Sequence, residues 1–211
     1  MKTLIVCASK YGSTLEIGKW LAERLGGDCF VDKAESMPDP ADADIVILGS
    51  GIYNHHILPS VQEYVDRFKD ALKGKKTVVF GVAMDTTGVF VQGKVHGGWN
   101  YILPLIKSLS KPPIHAGLLG GEINPDKLDA KDTEGLKRFY KMLYGRETPI
   151  PYKTWMNKKK VWAFAEKILE RLEIFRPVRL GISPFLCRQF KFKIPVFKPP
   201  FMFFISFKGC H

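Results

Sequence analysis

Short apolar runs alternate with longer amphipathic segments along most of the chain. Four runs are almost wholly apolar, which is typical of strands covered on both faces, and a shorter run fits an edge strand. The four runs are residues 4–8, 45–49, 77–83 and 114–119, and the edge strand is residues 29–31. Apolar residues between the runs recur at helical spacing. The pattern predicts an α/β fold, a doubly wound sheet of five parallel strands with helices on both faces.

Boundary signals predict where the helices lie. The first helix begins near Ser13 or Thr14, either of which can cap it. Pro59 opens a second helix, because proline is well suited to the first helical position. Two further apolar stripes, over residues 136–143 and 161–172, predict later helices.

A polar loop follows each of the first three long strands. Ligands of an open parallel sheet bind beyond the carboxyl ends of its strands, so the three loops predict one common site. The first loop joins hydroxyls and a glycine to a helix start, which suits a phosphate. The second holds an aromatic ring between residues that permit positive φ, and the third offers short polar groups for the edge of a heterocycle. The candidate residues are Ser9, Lys10, Tyr11, Gly12, Ser13 and Thr14 in the first loop, Ser50, Gly51, Ile52, Tyr53 and Asn54 in the second, and Met84, Asp85, Thr86, Thr87 and Gly88 in the third.

Simpler explanations exist for these residues and stay open at this point. Ser13 and Thr14 could only cap a helix, and Tyr53 could only cover the core. The adjacent His55 and His56 favour solvated side chains over a metal site, because no carboxylate or cysteine completes a ligand set. We therefore predict no metal site.

Taken together, the three loops resemble those of the flavodoxin fold, and the resemblance covers about residues 1–172. The flavodoxin phosphate loop has the form Ser/Thr-x-x-Gly-x-Thr, which Ser9, Gly12 and Thr14 match. Tyr53 matches the aromatic residue that stacks on the isoalloxazine ring, and the third loop matches the third flavin loop. The resemblance implies FMN as the cofactor, bound by the candidate residues of all three loops.

Three less specific sequence features resemble those of the menaquinone-dependent protoporphyrinogen oxidase branch of this fold. They are the segment G-S-G-I-Y-N-H-H (residues 49–56), the additional helix around residues 136–143 and the segment Y-G-R-E-T (residues 144–148). Two positions depart from the flavodoxin pattern. Tyr11 stands where Thr or Asp is frequent, and Asn54 replaces a frequent glycine, although asparagine can still reach positive φ.

Other phosphate-using sites fail on the residues after the first strand. A low-molecular-weight tyrosine phosphatase needs an arginine six positions after its cysteine, where this chain has Ser13. Neither a Walker A loop nor a Gly-x-Gly-x-x-Gly dinucleotide motif follows the strand. A receiver domain has acidic residues where this chain has Ala8 and Ser9. FMN is left as the favoured ligand.

The resemblance implies an FMN-dependent oxidoreductase that passes electrons to a quinone or another redox partner and acts on a porphyrin-type substrate. Because flavin carries the redox chemistry, no side-chain nucleophile is required and the catalytic residues stay unassigned. Candidates for the border of a substrate cleft are Lys94, His96, Trp99 and Tyr101. Two alternatives stay open: an electron-transfer flavodoxin without a small-molecule substrate, a class that is acidic as a family, and an interaction module that has lost the flavin.

Positive charge is concentrated at the end of the chain. Of a net charge of +11, residues 175–211 contribute seven basic residues and no acidic one, whereas residues 1–174 hold 25 basic and 21 acidic residues. We therefore divide the chain into a flavodoxin-like FMN-binding domain, residues 1–174, and a basic Phe/Pro-rich C-terminal extension, residues 175–211. The extension favours an anionic membrane surface or a hydrophobic partner over nucleic acid, unless it folds back on the sheet.

The remaining features predict a cytoplasmic protein. Its four cysteines form no C-x-x-C pair, which fits a reducing compartment. No signal peptide is evident, and no run approaches the roughly 18 apolar residues of a membrane span. Binding of the C-terminal extension to anionic lipid would make the protein peripheral at the inner face of the membrane.

Overall fold

The structure of the chain is a computed structural model that describes residues 1–91 and 94–174. The expectations for residues 175–211, including the domain boundary at residue 174, lie outside the described residues and stay predictions. In the described part, no helix is long and apolar enough to cross a membrane.

A central sheet of five parallel strands organises the fold. In chain order, the strands of the described residues are β1 (Lys2–Ala8), β2 (Asp28–Lys33), β3 (Ile45–Tyr53), β4 (His56–Ile57), β5 (Lys76–Ala83), β6 (Val89–Val91), β7 (Lys94–His96), β8 (His115–Gly120), β9 (Glu122–Ile123) and β10 (Lys153–Thr154). The parallel order is β2-β1-β3-β5-β8, and the short β4 pairs antiparallel with β3. The predicted five-stranded parallel sheet is confirmed.

Helices cover both faces of this sheet. They are α1 (Ser13–Leu25), α2 (Pro59–Arg67), α3 (Lys69–Lys73), α4 (Leu103–Ser108), α5 (Ala130–Tyr144) and α6 (Lys158–Ile174), with 3-10 turns at Ala34–Ser36, Gly98–Tyr101 and Pro125–Lys127. Helices α1 and α6 bury residues such as Ile17 and Ile168 against one face, and α2 and α4 bury residues such as Tyr64 and Leu105 against the other. The doubly wound architecture is therefore confirmed.

The parallel strands end at the same edge of the sheet. Ala8 of β1 is the partner of Ser50 in β3, and Ser50 is the partner of Gly81 in β5. Three polar loops therefore lie next to one another at this edge. They are residues 9–14 (loop 1), residues 50–54 (loop 2) and residues 84–88 (loop 3).

The start of α1 corrects the expectation that Ser13 or Thr14 caps it. Gly12 is the capping residue, with φ of 98°, and Ser13 and Thr14 lie inside the first turn. Ser9 supplies the oxygen instead, because its hydroxyl accepts hydrogen bonds from the N–H groups of Gly12 (3.0 Å) and Thr14 (3.2 Å). Glycine adopts this positive φ without strain, and the turn brings the Ser9 side chain to the helix start.

The pattern of apolar residues did not predict several short elements of the structure. They include α3, α4, the antiparallel pair β6 and β7, and the antiparallel pair β9 and β10. None of them is longer than six residues. Segments of this length contain too few apolar positions for a period to be recognised.

Candidate functional site

Loop 1 folds around the hydroxyl of Ser9, which holds two N–H groups of the helix start. Thr14, in the first turn of α1, is only 1% exposed. Nothing lies within 4 Å of the position that a Cβ would take on Gly12. Loop 1 therefore presents open space beside the positive end of the α1 dipole, an arrangement that suits an anionic group.

Two side chains of loop 1 are tied to the N terminus of α5. Nζ of Lys10 lies 2.7 Å from a carboxylate oxygen of Asp129 and 2.7 Å from one of Asp132. The hydroxyl of Tyr11 donates to Asp132 at 2.6 Å and accepts from the N–H of Asp129 at 3.2 Å. The carboxylates raise the pKa of Lys10, and Lys10 lowers the pKa of Asp129. The side chains of Lys10 and Tyr11 thus bind α5.

The aromatic residue of loop 2, Tyr53, lies over loop 1. Its ring meets the edge of the Tyr11 ring, with centroids 5.9 Å apart. A Cβ on Gly51 would lie 2.7 Å from the Tyr53 ring, so glycine is needed at that position. Burial raises the pKa of Tyr53, and the backbone N–H groups of Lys10 and Tyr11 oppose that rise.

Ser50 and Ile52 shape loop 2 from within. Ser50 is fully buried, and its hydroxyl donates to the carbonyl oxygen of Gly51 and accepts from the N–H of Leu58, both at 2.9 Å. Ile52 packs against the hydrophobic cluster between the sheet and α2. Both side chains are thus occupied inside the loop, which presents the side chains of Tyr53 and Asn54.

Loop 3 folds around the carboxylate of Asp85. One oxygen accepts hydrogen bonds from the N–H (3.0 Å) and hydroxyl (3.1 Å) of Thr87 and from the N–H of Gly88 (2.9 Å). These donors, Gly88 first, lower the pKa of Asp85, so the group is ionised at neutral pH. Met84 and Thr86 are exposed. Their side chains and the loop backbone are what loop 3 can offer a ligand.

A contact between His55 and Tyr101 lies beside loops 2 and 3. Asn54 and His55 have φ of 48° and 68°, which confirms that Asn54 reaches the left-handed region. Nδ1 of His55 lies 3.3 Å from Oη of Tyr101, and the two rings stack with centroids 5.8 Å apart. A cavity of about 220 Å³ opens at this pair. Its lining residues are His55, Val95, Gly97, Asn100 and Tyr101.

A larger cavity, of about 590 Å³, opens at loop 1. It runs between the first turns of α1 and the β9 and β10 pair, with Trp20 and Tyr152 among its walls. Tyr11, Gly12 and Ser13 of loop 1 line it, and no residue of loop 2 or loop 3 does. The helix start that suits an anionic group therefore opens into this cavity.

Comparison with known proteins identifies the family. The family model described as Flavodoxin domain matches residues 4–149, more than half of the chain. The chain belongs to the flavodoxin domain family. FMN is the cofactor of this family, and its members pass electrons to redox partners. The chain is thus an FMN-binding redox protein.

Solved structures of two flavodoxins and a flavodiiron protein are among those similar to this chain. The oxidised Flavodoxin 1 from Bacillus cereus is 16% identical, with a TM-score of 0.49 over 81% of this chain and 98% of that one. A flavodoxin from the domain Archaea is 14% identical, with a TM-score of 0.48 over 82% and 99%. The flavodiiron protein from Giardia intestinalis is 15% identical, with a TM-score of 0.45 over 83% and 38%. No curated protein matches the chain.

The three loops of this flavodoxin domain fit FMN. The open space at Gly12 and the helix start of α1 suit the phosphate. The ring of Tyr53 offers an aromatic surface to the flavin, and loop 3 offers backbone groups. The residues that would hold the phosphate are Ser9, Gly12, Ser13 and Thr14.

Sequence reasoning missed Asp129 and Asp132, which hold two of the predicted cofactor-binding side chains. They lie far along the chain from loop 1, and no motif marks them. The cleft candidates Trp99 and Tyr101 are described, and Tyr101 lines the cavity. The side chains of Lys94 and His96 lie outside the description. Among the described residues, no three His, Cys, Asp or Glu side chains are grouped so as to hold a metal ion.

Proposed function

We propose that this flavodoxin domain is an FMN-dependent oxidoreductase similar to the quinone-linked protoporphyrinogen oxidases. The observation that carries the proposal is the cavity of about 220 Å³ at His55 and Tyr101. It lies beside loops 2 and 3, so an organic reactant in it would lie next to the flavin site and would meet hydrogen-bonding side chains.

We assign the FMN phosphate to loop 1 and the isoalloxazine ring to Tyr53 and loop 3. The open helix start supports the first assignment, since its N–H groups and dipole favour an anion. The exposed backbone of loop 3 and the aromatic ring of Tyr53 support the second.

An electron-transfer flavodoxin without a small-molecule substrate is the second candidate, and family membership supports it. Charge favours the oxidoreductase. Residues 1–174 hold 25 basic and 21 acidic residues, whereas carrier flavodoxins are acidic as a family. A mildly basic surface is poorly suited to the basic partners that an acidic carrier attracts.

The same proposal includes a quinone as electron acceptor and a porphyrin-type substrate. It also places the protein in the cytoplasm, at the inner face of the membrane. The branch-like segments at residues 49–56 and 144–148 support the first two. The seven basic residues and nine phenylalanines of residues 175–211 support the membrane, where quinone and a poorly soluble porphyrin would both be found.

The purified chain tests the function in two steps. A flavin absorbance spectrum is expected, and its absence after incubation with FMN would support the interaction module instead. Anaerobic oxidation of protoporphyrinogen should then depend on an added quinone. Rapid one-electron exchange with a ferredoxin-type protein, without protoporphyrinogen oxidation, would establish the electron carrier.

Lipid vesicles test the membrane part of the proposal. Each basic residue that reaches an anionic surface contributes about 1 kcal/mol, so the full chain should sediment with anionic vesicles and less so in high salt. Glutamine at all seven basic positions of residues 175–211 should abolish this binding. Glutamine at Lys159 and Lys160, exposed on α6, is the matched control. Vesicle binding that survives loss of the seven charges would contradict the proposal.

A further inference from the structure

The cavity of about 590 Å³ that opens at loop 1 continues along α1. Its volume lies within the range of about 300–1,000 Å³ that is typical of small-molecule sites. On the α1 side it is lined by Ser13, Glu16 and Trp20, whose spacing places them on one face of the helix. Because a helix rises about 1.5 Å per residue, the cavity follows this face for about 10 Å, from the helix start to Trp20.

The end of the cavity away from loop 1 is apolar and aromatic. Leu15, Trp20 and Met156 line the cavity, and they pack against the hydrophobic cluster that α1 and α6 form with the sheet. Tyr152, whose side chain is 59% exposed, lines it from the side of β10. Aromatic side chains of this kind bind the flat face of a nucleobase, because every base has a π surface.

Two lysines that line the cavity can meet a phosphate. Nζ of Lys19 lies 3.8 Å from a carboxylate oxygen of Glu16, and Nζ of Lys127 lies 3.3 Å from one of Glu122. Both lysine side chains are more than half exposed, and an ammonium group has three donors, so each can bind an anion without leaving its carboxylate. The two carboxylates balance the two lysines. This neutral lining favours a phosphate that is joined to an aromatic base over a bare anion.

Loop 1 leaves the outer side of the phosphate site uncovered. Nothing lies within 4 Å of the position that a Cβ would take on Gly12. The side chains of Lys10 and Tyr11, which are long enough to cover an anion there, are bound to Asp132 of α5. A phosphate at the helix start can therefore carry a further group, and the cavity begins at that point.

We propose that this cavity binds the adenosine phosphate half of flavin adenine dinucleotide (FAD), while the three loops bind its flavin half. FAD is FMN whose phosphate is joined to adenosine monophosphate, so its adenine lies one phosphate and one ribose beyond the FMN phosphate. The cavity has the same order, from the helix start past the lysines to Trp20 and Tyr152. The inference rests on the assignment of the FMN phosphate to loop 1 in the proposed function.

Flavin titrations of the purified chain test the proposal. FAD should bind about tenfold more tightly than FMN, because a stacked base adds contacts that FMN lacks. Trp20→Leu and Tyr152→Leu should each weaken FAD binding by about tenfold and leave FMN binding unchanged. Trp162→Leu is the matched control, since Trp162 is partly buried, as Trp20 is, but does not line the cavity. It should alter neither affinity.

The indole N–H signals in an NMR spectrum report where the adenosine lies. In the chain labelled with nitrogen-15, the Trp20 signal of the FAD complex should differ from that of the FMN complex. The signals of Trp99 and Trp162 should be the same in both complexes. Adenosine monophosphate, added to the FMN complex at the same concentration as FAD, should not move the Trp20 signal, because it lacks the link to the flavin.

The outcomes separate this inference from the proposed function. Failure of both flavins to bind overturns the assignment of the three loops and the proposed function with it. Tight binding of FMN together with weaker binding of FAD overturns only the adenosine site. An equal loss of both flavins in Trp20→Leu and Tyr152→Leu also overturns it, because that result indicates damage to loop 1. A Trp20 signal that adenosine monophosphate moves as far as FAD does would indicate a free nucleotide as the ligand and would overturn the link to the flavin.

Discussion

The Tyr11→Phe change tests how α5 is held against loop 1. The hydroxyl of Tyr11 bonds the carboxylate of Asp132 at 2.6 Å and the N–H of Asp129 at 3.2 Å. Of the α5 side chains that the structure describes, only Tyr140 is buried, so the helix has little packing to replace these bonds. Phenylalanine keeps the ring and its contact with Tyr53, and the change therefore isolates the hydroxyl.

The contacts of Tyr11 set the size of the effect. A hydrogen bond to a charged group contributes about 1.5–3 kcal/mol, and a neutral one about 0.5–1.5 kcal/mol. Lys10 still binds Asp132 in the variant, and the hydroxyl is only partly buried. We therefore expect a loss of about 1–2 kcal/mol, which corresponds to an opening of α5 that is about 5 to 30 times more frequent.

Amide hydrogen exchange over residues 129–144, measured by mass spectrometry, reports this opening. Exchange in α5 should rise by that factor, whereas exchange in β1 and β3 should stay the same. Tyr152→Phe is the matched control. It removes a hydroxyl that makes one 3.2 Å bond to Glu122, from a side chain outside α5 that is 59% exposed.

Unchanged exchange of α5 in Tyr11→Phe would refute the reasoning. It would mean that Tyr140 and the ion pairs of Lys10 hold the helix without the Tyr11 hydroxyl. An equal rise in Tyr11→Phe and Tyr152→Phe would also refute it, because the control hydroxyl makes no contact with α5.

Three further predictions concern the same loops. Thr14→Ala should cost about 1–3 kcal/mol of FMN binding by removing a hydroxyl donor to the phosphate, with no loss for riboflavin in a fluorescence titration; an equal loss for both ligands would place the phosphate elsewhere. Tyr53→Ala should lose about 1 kcal/mol of ring contact with FMN and shift the flavin spectrum. Equal affinity and an equal spectrum in the variant and the unaltered chain would argue against contact between Tyr53 and the flavin. The hydrogen bond with Lys10 is the main cause of the lowered pKa of Asp129. Ionised Asp129 therefore stabilises the folded chain fully above pH 3.8, its ordinary pKa, and this stabilisation is lost as the pH falls through the lowered pKa. Amide hydrogen exchange of α5, corrected for intrinsic rates, should therefore rise below about pH 4. Protection of the α5 amides that stays constant between pH 6 and pH 3 would disprove this role of Asp129.

Periodicity in the sequence was enough to predict the sheet and the long helices. The apolar runs that end at Ala8, Gly49 and Ala83 are buried strands in the structure, because helices cover both faces of the sheet. The apolar stripes over residues 136–143 and 161–172 lie within α5 and α6. These features are local, since the spacing of apolar residues decides which face of an element can be buried.

Residue type predicted the loops correctly but not the contact that each side chain makes. Ser13 and Thr14 were predicted as caps, but both lie inside the first turn after Gly12, and the hydroxyl of Ser9 accepts the hydrogen bonds of the helix start. The hydroxyl of Ser50 could have faced a ligand, but it bonds the backbone inside loop 2. A hydrogen bond depends on distances near 3 Å, which the folded backbone sets and composition does not.

The sequence by itself determined the fold class, the flavodoxin family and the three loops that meet at one edge, because parallel strands all end there. Only the tertiary structure decided the partners of the loop side chains. Lys10 and Tyr11 meet Asp132, and His55 meets Tyr101. These partners lie far apart along the chain and share no period, and they become neighbours only when the segments between them have folded. Their polar contacts act over a few ångströms, so the packed chain, and no local pattern, selects them.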